Sequence, residues 1–270
     1  MPTLVPPTES EVCGSGATPN KGASREVFRK WIQAYLNLFG NSGTPAGARL
    51  VLGVNDPPQI IRYLSGSGTY TTPVGARYLI VKIVAGGGSG SGGGVASWGA
   101  GGNGGNSTFG ANTAVGGIGA AVPYASGGLG GTNTVSGATV ITNQVGDQGG
   151  SSGLSTNTSA ALNSACSGAG GGTMLGGGGK SVSYVGAGIL GTTNSGGGGS
   201  GGASGNAAAT KYDGGGGGGG GSMEIMISAP AATYSYAVGA GGTAGAAGTG
   251  ANAGAGGAGA AGQIVVIAYL

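Results

Sequence analysis

The sequence predicts a mainly β fold: a small β-sandwich or sheet that carries long, ordered glycine-rich loops and is preceded by one α-helix. Three observations predict it. Apolar residues alternate with others, the period-two signature of a half-buried strand, in ARYLIVKIVA, SMEIMISA and QIVVIAYL. Between and around those strands glycine reaches 72 of 270 residues, about four times ordinary usage, and culminates in eight consecutive glycines, Gly214–Gly221. Convincing helical spacing occurs once, in SREVFRKWIQAYLNLFG.

Taken in order, residues 1–22 are rich in Pro, Ser and Gly and read as an arm. Residues 23–64 form a second region, opened by the helix over 24–39. Phe28, Trp31, Ile32, Tyr35, Leu36 and Phe39 share one face, with Ser24 as N-cap and Gly40-Asn41 as the stop. Such an aromatic face between weak flanks is expected either to pack onto its own domain or to seat the chain on a partner or on its own copies. Phe28, Trp31, Ile32, Tyr35 and Phe39 are the assembly candidates. ARLVLGV and QIIRYL read as short strands separated by the Asn55-Asp56-Pro57-Pro58 turn.

The third region, 65–270, is the glycine-rich β-domain. GTYTTP is a short strand and turn. In the next strand Leu79, Val81 and Ile83 face one way, and Tyr78, Ile80, Lys82 and Val84 the other. NSTFGANTAV and TNTVSGATVITNQV read as weak strands. Met223, Ile225 and Ile227 are expected inward with Glu224 outward, and TYSYAV groups Tyr234, Tyr236 and Val238. Pairing the first and last strands is the economical arrangement. The remaining glycine tracts are expected to be irregular turns or polyproline-II-like helices packed side by side, since glycine lets such backbones approach within hydrogen-bonding distance.

Composition removes several classes of function. Disordered tracts usually combine low hydrophobicity with many charges, whereas charged residues here are only 6%. Eight of the ten Lys/Arg precede Ile83, and beyond it only Asp147, Lys180, Lys211, Asp213 and Glu224 are charged. No basic stripe supports nucleic-acid binding, and no apolar run is long enough to insert in a membrane. The start, MPTLVPPTESEV, shows no secretory signal, and Cys13 and Cys166 are expected as free thiols made in a cytoplasm. Histidine is absent, which removes Ser-His-Asp and Cys-His catalysis and histidine metal sites. MLGGGGKS falls short of a phosphate loop. No enzyme, metal or cofactor is expected. Trp98, Tyr124, Tyr184 and Tyr212 are aromatics isolated among small residues, suited to sugars or exposed protein loops, and are the receptor-binding candidates. Their bland alternative is burial as caps on glycine-rich layers.

Four pieces stand in a suggestive order: SGSGTYTTPVGARYLIVKIVAGGGSGSGG, GGNGGNSTFGANTAVGG, ISAPAATYSYAVGAGGTAG and GAAGQIVVIAYL. Together they resemble the glycine-rich domain of bacteriophage tail-fibre and other virion proteins, over roughly residues 65–270. The resemblance implies a virion fibre or fibre-tip protein, made in the host cytoplasm, that mediates attachment to the host cell surface. It transfers no catalytic residue. Its expected partners are its own copies, as a homotrimer, other virion structural proteins, and a bacterial surface glycan or outer-membrane protein. The alternative is an architectural virion protein, a capsid decoration or tail component that binds no receptor. A non-viral glycine-rich protein is the third reading: an ice-binding polyglycine bundle would show regular three-residue glycine spacing, which is missing, and a secreted cell-surface protein a secretion signal, which is not seen.

Overall fold

The computed structural model describes residues 57–95, 98–122, 126–152, 154–155, 166–204, 211–250 and 252–270. The expected helix with its five assembly residues, the strand ARLVLGV and Tyr124 lie outside the described residues. Two units are distinguished, Met1–Pro57 and Pro58–Leu270. Apart from Pro57, every described residue belongs to the second unit.

Twelve strands form among the described residues: β1 (Gln59–Tyr63), β2 (Ser67–Thr71), β3 (Tyr78–Val84), β4 (Ser107–Phe109), β5 (Asn112–Ala114), β6 (Asn133–Thr134), β7 (Thr139–Gln144), β8 (Leu154–Ser155), β9 (Lys211–Tyr212), β10 (Ser222–Ile227), β11 (Thr233–Ala237) and β12 (Gln263–Tyr269). One antiparallel sheet has the order β1-β12-β3-β10-β7, a second β2-β11-β4-β5-β6, and β8 and β9 pair separately. The alternation read in sequence sets the register. Val81 stands opposite Ile225 on one side and Val266 on the other, and Ile83 opposite Met223 and Ile264. These side chains are fully or almost fully buried, and the second sheet adds Tyr70, Phe109 and Ala114 to the same core. Each large apolar side chain so buried contributes about 1.5–3 kcal/mol. On the outer face Glu224 meets Lys82 at 3.4 Å, an exposed pair of small energetic weight.

β1 belongs to this unit although it precedes residue 65. Its whole length pairs with β12, Gln59 opposite Ala268 through Tyr63 opposite Ile264, so the compact unit starts at Pro58. From β1, Tyr63 stacks on Tyr236 of the other sheet with ring centroids 3.8 Å apart, while Phe109 stacks on Tyr234 at 4.9 Å. Burial, then the neighbouring Tyr236, raises the phenol of Tyr63 above its ordinary range; burial, then Tyr63 and Tyr234, does the same for Tyr70. A phenol with a raised folded pKa lends its stability below the unfolded value of about 10 and loses it as pH rises through the folded value. The melting temperature is therefore expected to fall as pH climbs above about 10, and replacing Tyr63 and Tyr70 with phenylalanine should flatten that decline.

The glycine-rich chain continues from the sandwich as twelve segments, 85–94, 99–105, 115–121, 127–132, 146–150, 167–172, 176–181, 186–191, 196–203, 213–221, 239–248 and 253–262, whose backbones bond side by side. Along 85–94 the donors rotate through three neighbours. The N–H groups of Ala85, Gly88 and Ser91 reach Gly221, Gly218 and Gly215; those of Gly86, Ser89 and Gly92 reach Gly105, Gly102 and Gly99; those of Gly87, Gly90 and Gly93 reach Ala260, Gly257 and Gly254. Its carbonyls accept from three further segments, including Gly117, Gly199 and Gly242. Segment 213–221 has six neighbours of its own in the same manner. Residues 85–94, 196–203 and 213–221 are buried and bond to one another, and the other nine segments ring them.

Glycine is dictated here by proximity. A Cβ on Gly217 would lie 2.6 Å from the Ser89 carbonyl oxygen and closer still to the Gly88 carbonyl. Where serine replaces glycine inside, its hydroxyl bonds to backbone: Ser89 donates to the Thr243 carbonyl, and Ser91 Oγ accepts from Gly215 N–H at 3.0 Å. Ser107 fastens sandwich to array, donating to the Val84 carbonyl at 2.7 Å and accepting from Gly239 N–H at 2.9 Å.

Candidate functional site

The path of the chain through the array creates two unlike ends. Successive segments reverse direction. At one end they feed the sandwich through β3, β4–β5, β6–β7, β10–β11 and β12, with two short turns at 173–175 and 192–195. At the other end the segments meet six connections, whose described residues are 95, 98, 122, 126, 151–152, 154–155, 166, 182–185, 204, 211–212, 249–250 and 252. Loops on a rigid support are where recognition usually resides.

Of the aromatics singled out in the sequence, Trp98, Tyr184 and Tyr212 fall at this end. Tyr212 is held by the backbone, exchanging hydrogen bonds with Gly94 at 2.9 and 3.0 Å and standing opposite Leu154 across β8–β9. Trp98 stacks on it with ring centroids 4.6 Å apart, and both are only partly exposed. Tyr184 differs: it is 63% exposed, at φ 75°. Tyr124 lies between segments 115–121 and 127–132, outside the described residues. The structure thus brings Trp98 and Tyr212 together and presents Tyr184 to solvent.

Two connections are tied down by Asp213, which is 1% exposed. Its Oδ1 accepts from Ser204 N–H at 2.7 Å, and its carbonyl accepts from the Ser152 hydroxyl at 2.6 Å. Asp147 sits at the opposite end, where its backbone pairs with Gly172 and Gly219. It lines an open polar cavity of about 430 Å³ with Gln144 and Thr173. With Asp213 at one end of 213–221 and Asp147 beside the other, the two acids share no site. Among the described residues no group of three His, Cys, Asp or Glu side chains gathers that is able to hold a metal ion. No helix among them is long and apolar enough to cross a membrane. Cys166 is an exposed free thiol.

Sequence reasoning missed the period of three, and a signal for it existed. AGGNGGN (100–106) and SGGLGGT (126–132) place Ala100, Asn103, Asn106, Ser126, Leu129 and Thr132 at every third position, and all six are exposed. The repeat holds within these two stretches and vanishes over the whole chain. Asn103 and Asn106 also reach sideways, accepting from Gly119 and Gly116 N–H at 2.9 Å. Comparison with protein-family models, with curated proteins and with solved structures found no match.

Proposed function

We propose that this chain is a bacteriophage virion fibre or fibre-tip protein that attaches to the host cell surface through the six connections remote from its sandwich. In this reading the glycine-rich segments are polyproline-II-like helices packed as a bundle. Three residues per turn is the period of that helix, and it is the period with which the donors of 85–94 change neighbour. A bundle whose interior has almost no side chains has little to offer a ligand along its length. Its connections carry the chemistry.

The observation that carries the proposal is the convergence at one end of aromatics scattered from residue 98 to residue 212. The ordered resemblance over 65–270 supports a virion setting, and no catalytic role is proposed. The aromatic face of 24–39 is the proposed seat on other virion proteins or in a homotrimer. The architectural alternative, without receptor binding, is separated from attachment by position and effect. Antibody fragments raised against this chain should decorate fibre ends in micrographs of particles and block adsorption. Decoration confined to the capsid, with adsorption untouched, would leave the architectural reading in front.

A further inference from the structure

The two sheets of the sandwich differ in their outer faces. A solvated antiparallel sheet alternates apolar residues inward with polar residues outward. The sheet β2-β11-β4-β5-β6 obeys: Thr69, Thr71, Thr108, Thr113, Thr134 and Thr233 all lie on the side away from the core. The sheet β1-β12-β3-β10-β7 does not. Ile60, Ile267, Ile80 and Met226 stand in one rank across four successive strands of its outer face. Tyr269 and Tyr78 stack in the rank beside them, ring centroids 4.5 Å apart. Ile60 is 65% exposed. β3 and β12 read YLIVKIV and QIVVIAY, near-continuous apolar runs of the kind found in strands covered on both faces.

The charges on this face point to what covers it. Its five strands carry three, Arg62, Lys82 and Glu224, and all stand in the rank on the other side of the isoleucines, with Val265 between Arg62 and Lys82. Glu224 meets Lys82. Arg62 is exposed on the edge strand, three strands from that acid, and the sheet has no other. A second copy of the same face supplies the missing partner. We propose that two copies of the chain pair through this sheet, about a two-fold axis that runs along the strands between β12 and β3. The operation lays β1 over β10, and β12 over β3, of the other copy. Ile60 then meets Met226, Ile267 meets Ile80, Tyr269 meets Tyr78, and each Arg62 meets the Glu224 of the other copy. Every rank complements itself, as an isologous interface requires. Twisted sheets stacked face to face keep their strands nearly aligned, which is the alignment this axis produces. The sandwich lies at the end remote from the six connections, so pairing leaves them free. The inference depends neither on the attachment reading nor on the seat proposed for 24–39.

Sedimentation of the full-length chain at micromolar concentration tests the pairing. The wild-type particle should weigh an even multiple of one chain. Ile80→Glu and Ile60→Glu, both on the outer face, should each halve that mass and still melt cooperatively; the exposure of Ile60 keeps the second variant informative if the first does not fold. Arg62→Glu should weaken pairing at least about tenfold, as loss of an interfacial charge pair does. Reversing the whole rank, Arg62→Glu with Lys82→Glu and Glu224→Arg, should restore it. A monomeric wild type, or a particle whose mass both isoleucine variants leave unchanged, overturns the proposal and leaves the face to another occupant. Pairing that Arg62→Glu does not weaken, or that reversal of the rank does not restore, overturns the two-fold register and the choice of a second copy with it.

Discussion

Replacing Gly217 with alanine is expected to cost about 3 kcal/mol or more of stability, the upper range for forcing atoms into a packed interior. Gly217 lies in a segment whose residues are all buried. The new methyl group would meet the carbonyls of Gly88 and Ser89, which belong to another interior segment. Neither is the tip of a flexible side chain, so relief requires moving backbone that is itself bonded to further segments. For a unit of this size the loss corresponds to a melting-point drop of roughly 6–12 °C. Gly177 supplies the contrast. A Cβ there would meet nothing within 4 Å, so Gly177→Ala should change stability by less than about 1 kcal/mol, and in the favourable direction through reduced unfolded-state entropy. Thermal melts of both variants check the pair; equal melting points would mean that the close approach of these backbones does not govern stability.

Truncating Ile225 to alanine is expected to cost about 2–5 kcal/mol, the range for large-to-small changes in a closed core. Ile225 is fully buried on β10, opposite Val81 on the central strand β3 and Val140 on the edge strand β7. The effect should reach beyond the sandwich. β3 and β10 run directly into segments 85–94 and 213–221, and a loosened pair there weakens the frame that holds both interior segments in register. Urea unfolding of Ile225→Ala should show a lower midpoint for both the near-ultraviolet signal of the sandwich and amide protection in the array. Loss confined to the sandwich would show the two parts to be independently stable.

How far the fold was legible depends on how local each signal is. The alternation in 78–84, 222–227 and 263–269 is a property of adjacent residues, so Leu79, Val81, Ile83, Met223, Ile225 and Ile227 were placed inward from sequence and are buried. The weak strands at 107–114 and 133–144 were also legible, through their Thr, Val and Asn content between glycine tracts. The membership of β1 was not. All but its last residue are exposed, Ile60 at 65%, so no alternation marks it, and its partner β12 is about 200 residues away in sequence. The array was legible as composition and not as geometry. Its pairings join segments such as 85–94 with 213–221 and 253–262, which no local pattern encodes. At the candidate site, Trp98, Tyr184 and Tyr212 stood out as large rings in small-residue surroundings. Which of them stack and which stands clear is decided by where the six connections are brought, and that is a consequence of the array.

The central claim is that the glycine-rich segments form an ordered, hydrogen-bonded scaffold that holds the six connections in place, and native-state amide hydrogen exchange on the full-length protein tests it most directly. Amides of 85–93 and 214–221, each bonded to a neighbouring segment and buried, should exchange only with global unfolding, as slowly as those of Val81 and Ile225 in the sandwich. Amides at the exposed turn around Tyr184 should exchange much faster. Exchange of 213–221 at the rate of an unstructured glycine chain, beside a fully protected sandwich, would contradict the scaffold and with it the account of how the contact surface is held.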